Sequence, residues 1–97
     1  MTAPASTRRF HPRDTVIKQE VSGAMVLFNM DDGTYFELDG MAARIWDLCD
    51  GARRVSEIAA ILHDEYDAPI ETIRRDVEEL LRELSDERLV VDADERI

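Results

Sequence analysis

Cysteine is nearly absent: Cys49 stands alone in 97 residues, so no disulfide can form within the chain, and a lone thiol suits a reducing, cytoplasmic setting. Long apolar runs are missing too. The longest, from Gly23 to Phe28, is six residues and includes glycine, against the ~20 that a membrane helix needs. The opening Met1-Thr-Ala-Pro-Ala-Ser-Thr7 has no apolar centre, and a secretory signal is not expected. Basic charge is also in short supply. Twelve Lys and Arg oppose 22 Asp and Glu, a net charge of −10, and the first twenty residues are themselves net basic. The remainder therefore projects a strongly acidic field, the reverse of what phosphate backbones require. Nucleic acid is disfavoured as a partner on charge, and no membrane-spanning segment is expected from hydropathy.

The two histidines, His11 and His63, lie far apart and outside any zinc-like spacing, so no metal or other cofactor is expected. Cys49 has no base beside it and falls on the apolar side of a helix, which suits a small core residue better than a nucleophile. The glycines at 23, 33, 40 and 51 punctuate turns and helix ends and form no phosphate cradle. No nucleophile elbow surrounds any serine. The chain does not read as an enzyme.

What is present is a single change of period. Val16 to Val21 is rich in β-branched residues and stops at Ser22-Gly23, a turn signal; Ala24 to Met30 follows as a second, mostly apolar strand. Asp31-Asp32-Gly33 signals a second hairpin, leading into Thr34 to Leu38. There Phe36 and Leu38 share the inward face and Tyr35 and Glu37 the outward one. From Asp39, placed to cap a helix, the spacing becomes helical, with Met41, Ala42, Ile45, Trp46 and Cys49 inward and Gly51 at the C′ position. A second helix spans about 55–66, with Ile58, Ala59, Leu62 and Tyr66 inward. A third begins near Pro69 with a stripe of Ile70, Ile73, Val77, Leu80, Leu81 and Leu84. Leu89 to Val91 is a short extended end. The fold class is α+β: a three-stranded antiparallel meander followed by three helices. Residues 1–14, with one bulky apolar group, are expected to be a disordered lead-in, 15–91 the domain, and 92–97 an acidic tail.

Such a meander leaves Thr34, Tyr35, Phe36, Glu37 and Leu38 on an edge able to accept another extended chain. The third helix would supply the opposite wall. Whether Thr34 or Phe36 turns its amide to the open side is left to the strand's alternation.

One ordered set of residues sharpens this reading. Tyr35-Phe-Glu-Leu-Asp39, Ala43-Arg-Ile-Trp-Asp-Leu48 and Asp50-Gly51, continued by Val55-Ser-Glu-Ile58, Tyr66-Asp67, Asp76-Val77 and Leu89-Val90, resembles the PqqD family. The resemblance covers residues 15–91. It implies a winged helix-turn-helix-like fold and a non-catalytic peptide-binding module, also called a RiPP recognition element. Such a module holds the leader of a ribosomally made precursor peptide and presents it to a tailoring enzyme. In the pathway to pyrroloquinoline quinone that enzyme is a radical SAM enzyme, and relatives serve lasso-peptide routes. Carried onto this chain, the resemblance implicates Thr34 to Leu38 and, on the third helix, Arg74, Val77, Glu78 and Leu81. Arg53-Arg54 departs from the family, where many members have Thr before Val55, and a weaker helix cap is expected there. The rival readings are a winged-helix transcription factor, because the fold permits one, and a plain interaction scaffold. The module is expected to act as a monomer or homodimer.

Overall fold

The structure, a computed structural model of the chain, describes residues 7–93. Eight elements follow one another: β1 (Phe10–Pro12), β2 (Val16–Val21), β3 (Ala24–Asn29), β4 (Tyr35–Leu38), α1 (Gly40–Leu48), α2 (Val55–Glu65), α3 (Ile70–Asp86) and β5 (Val90–Asp92). The expected meander and three helices are all present, and they fold into a slab of 38 × 35 × 18 Å.

Strands β2, β3 and β4 form an antiparallel sheet in sequence order. Ser22 and Gly23 both have positive φ, 51° and 83°, the backbone of a two-residue turn whose twist matches the strands it joins. Period two then divides the sheet. Met25, Leu27 and Leu38 are buried beneath it, and Ile17, Phe28 and Tyr35 are exposed above it. α1 contributes Ile45 and Trp46 to the core, α2 Ile58 and Leu62, and α3 Ile73, Val77, Leu81 and Leu84. Tyr66 and Ile70, expected inward, remain over a third exposed because each lies at an end of its helix.

The N-terminal segment departs from expectation. Residues 7–14 are not a disordered lead-in: β1 pairs antiparallel with β5, Phe10 facing Asp92 and Pro12 facing Val90. Backbone bonds hold the segment along its length. Val55 N–H donates to Arg8 O, Gly51 N–H to Phe10 O, Ala93 N–H to Arg9 O and Arg13 N–H to Leu89 O, all at 2.8–3.0 Å. Phe10 is buried among the core residues. One buried aromatic ring and main-chain hydrogen bonds to distant partners order a segment that is otherwise poor in apolar side chains. Residues 1–6, the rest of the expected lead-in, lie outside the described residues. The acidic tail is shorter than expected at its start, because Asp92 belongs to β5, and 94–97 also lie outside the described residues.

Gly51 does not occupy the C′ position expected for it. α1 ends at Leu48 with Cys49 as its cap, so Gly51 lies beyond the helix, and its φ of 82° turns its amide toward β1. A Cβ there would sit 3.4 Å from His11 Cβ. Before α2, the Glu57 carboxylate accepts the Arg54 N–H at 2.8 Å, the half of a capping box that needs no side chain at 54. The Arg54 guanidinium, which cannot accept a bond, donates to Thr7 O at 2.9 Å.

If Phe10 is a core anchor, Phe10→Ala will lower the unfolding free energy by about 3 kcal/mol in a urea titration. A loss below ~0.5 kcal/mol, the scale of surface substitutions, would return the segment to the status of a lead-in.

Candidate functional site

The order β2-β3-β4 leaves β4 with a neighbour on one side only. Which of its amides point outward follows from the register. Asn29 N–H donates to Thr34 O at 2.9 Å, so these two residues bond across the strands. Alternation from that pair makes Leu27–Phe36 and Met25–Leu38 bonded pairs as well, and Val26–Glu37 and Phe28–Tyr35 non-bonded ones. Thr34 and Phe36 therefore share one parity, and neither faces the edge. Tyr35 and Glu37 turn their N–H and C=O groups outward, and no described residue pairs with them. Their side chains stand on the exposed sheet face, Tyr35 with 75% of its surface open. Phe36 is half-buried against the core and Leu38 is buried, so the expected alternation of side chains holds.

The turn before β4 is held from both ends. The Asp32 carboxylate accepts the Thr34 hydroxyl at 2.6 Å and the Thr34 N–H at 3.1 Å. Those two bonds, the hydroxyl's first, hold the Asp32 carboxyl below its ordinary range. Asn29 does more. It is the buried polar side chain among the described residues, and its Nδ2 donates to Arg88 O at 3.0 Å while its Oδ1 accepts Asp31 N–H at 2.9 Å. One amide thus ties the β3–β4 turn to the C-terminal end of α3. An Asn beside Asp31-Asp32-Gly33 reads as an ordinary turn residue, and only burial distinguishes it.

The α3 residues expected at the site need correction. Val77 and Leu81 are 0% and 1% exposed and pack in the core, with Leu81 also lining the cleft that Glu78 borders. They belong to the stripe that attaches the helix. Glu78 lines a shallow cleft of about 260 Å³ with Arg8, Phe10, Val55 and Arg82. Arg74, on the same side of the helix, is ion-paired with Glu71. That flank of α3 therefore faces the N-terminal segment. Leu80, two residues from Glu78 and so about 200° round the helix, is the half-buried apolar residue of the other flank.

Elsewhere the chemistry is structural. Cys49 is buried, and desolvation, reinforced by the negative charge of Asp50, pushes its thiol up to about 12, far from a nucleophile at neutral pH. Arg44 grips Glu65 through Nε and a second nitrogen at 2.8–3.2 Å, joining α1 to the end of α2. No group of three or more His, Cys, Asp or Glu among the described residues is arranged to hold a metal ion, and no described helix is long and apolar enough to cross a membrane.

A three-stranded meander, with β2 and β4 as its two edges and three helices behind it, defines a small winged helix-turn-helix domain whose β4 edge is accessible. The family model for coenzyme PQQ synthesis protein D, PqqD, matches residues 24–90, and the chain belongs to the PqqD family. Two solved structures are similar to it. TbiB1 in complex with the TbiA(beta) leader peptide shares 32% identity and a TM-score of 0.76, over 82% of this chain and 93% of that one. Lasso peptide synthetase B1 complexed with the leader peptide has a TM-score of 0.79 over 86% of this chain and 98% of that one; at 23% identity the likeness is one of fold. No curated protein gives a significant match.

The register predicts opposite outcomes for two neighbouring prolines. Tyr35→Pro removes an outward amide and should leave the thermal melt within a few degrees of the parent, whereas Phe36→Pro removes a bond to Leu27 and should abolish a cooperative melt. Asn29→Ala, which strands the Arg88 carbonyl, is expected to cost about 1–3 kcal/mol in chemical denaturation.

Proposed function

We propose that this chain is a non-catalytic recognition module. It holds the leader segment of a ribosomally made precursor peptide as an added strand on β4 and presents it to a tailoring enzyme. The observation that carries the reading is the open edge at Tyr35 and Glu37, on a fold whose 32%-identical relative was solved with a leader peptide. Two outward residues offer two amides and two carbonyls, enough to fix the register of an extended peptide. Inward side chains of that peptide would meet Phe36 and the Leu80 flank of α3. This replaces Arg74, Val77, Glu78 and Leu81 as the helical wall. Catalysis stays with the partner enzyme, in keeping with a lone thiol whose affinity for its proton is so high.

The fold alone would also permit a DNA-reading winged helix, but charge decides against it. α3 carries Arg74, Arg75 and Arg82 against Glu71, Asp76, Glu78, Glu79, Glu83 and Asp86, within a chain of net charge −10. A recognition helix of that balance repels phosphate.

Titration of the short peptides encoded beside this gene, followed by calorimetry and amide hydrogen exchange, tests the proposal. One of them should bind at micromolar concentration and slow exchange at Tyr35 and Glu37, since ordering a flexible leader consumes part of its contact energy. Binding that leaves those two amides unprotected would move the site elsewhere.

A further inference from the structure

The sheet's exposed face carries a pattern that strand addition by itself does not require. Ile17, Phe28 and Tyr35 are direct cross-strand neighbours, Ile17 opposite Phe28 and Phe28 opposite Tyr35. All three are exposed, at 48%, 40% and 75%. They form an apolar row that runs across the whole sheet and ends at the open edge of β4. The next row in the same direction along β4 ends differently. Gln19 faces Val26 and Val26 faces Glu37, so the edge residue there is a carboxylate. Glu37 has no ion-pair partner among the described residues. Asp39 continues the acidic sign. It sits where a helix cap belongs, yet its side chain makes no capping bond, and its φ of −140° and ψ of 164° prolong the extended backbone of β4. The outer side of the edge therefore reads aromatic, acid, acid, on side chains that project to one face.

A strand laid against this edge must place its own alternate side chains directly beside these three, because cross-strand partners lie about 5 Å apart. We infer that the outer face of β4 selects the bound strand by its chemistry: an apolar side chain opposite Tyr35, completing the row from Ile17, and a Lys or Arg two residues away opposite Glu37. This rests on the proposed strand addition and adds a specificity to it. The occupant is a cationic, amphipathic extended peptide, complementary to a domain of net charge −10. Tyr35 and Glu37 act here as specificity-determining residues through side chains, while their backbone groups bond any sequence alike. The side chains are dispensable for folding because both are exposed.

The test uses the full chain and an array of nine-residue synthetic peptides on one Thr/Val-rich host sequence. One position carries Lys, Gln or Glu, and a position two residues away carries Leu, Tyr or Ser, in both orders. The wild-type chain should bind the Lys peptides about three- to tenfold tighter than the Glu peptides at low salt. That ratio should shrink toward one as salt rises. Glu37→Lys should invert the charge preference, and Tyr35→Ala should erase the preference for Leu or Tyr over Ser while keeping the preference for Lys. Binding with equal affinity for Lys and Glu peptides, or a preference unchanged in Glu37→Lys, would overturn the inference and leave strand addition standing. Failure of the chain to bind any array peptide or any leader candidate would overturn strand addition itself, and the selectivity with it.

Discussion

The contact on which the functional geometry depends is the Asn29 side chain. A hairpin can pivot about the helical layer beneath it, and apolar packing is non-directional, so it resists sliding poorly. A buried amide is different. Its donor reaches Arg88 O and its acceptor takes Asp31 N–H, and each bond has a required direction and length. The β3–β4 turn is thereby locked to the end of α3, and the open strand that follows inherits a fixed position relative to the helix. Breaking that lock removes the Asn29 hydrogen bond from Arg88 O, which is why the arrangement is stiff rather than merely favourable.

An exposed strand edge is a hazard as well as a tool, because it templates pairing with copies of itself. Here the hazard is managed by charge. Glu37 and Asp39 on the edge, Asp31 and Asp32 at its far end, and the overall acidity all oppose the approach of a second identical edge. The device that discourages self-association leaves an oppositely charged strand welcome. Solubility and selectivity therefore draw on the same carboxylates.

Much of this architecture was legible in the residues themselves. The switch from period two to period 3.6 at Asp39, the turn chemistry of Ser22-Gly23, and the inward set of Phe36 and Leu38 are local signals, and the structure carries each of them. Other features have no local signature. The pairing of β1 with β5 joins segments some eighty residues apart through main-chain groups common to every sequence. The apolar stripe of α3 announces that Val77 and Leu81 face something, but periodicity does not say whether a stripe meets a core or a ligand. Nor does it say which neighbour covers each flank, and only the fold shows that Glu78 borders a cleft shared with Arg8 and Phe10. Hydrogen-bond parity along β4 is likewise set by the partner strand: it took the Asn29–Thr34 pair to show that Tyr35 and Glu37, not Thr34 and Phe36, present their amides.

The β1–β5 ribbon has one further consequence. Ala93 N–H donates to Arg9 O at 2.8 Å, so the two ends of the described chain leave the domain side by side, on a sheet separate from the one bearing the open strand. A domain with adjacent ends behaves like a plug-in part: its sequence can be spliced into a surface loop of a larger protein with little strain on either host or guest. Joining both ends to such a loop leaves the open strand untouched by the graft, because it belongs to the other sheet.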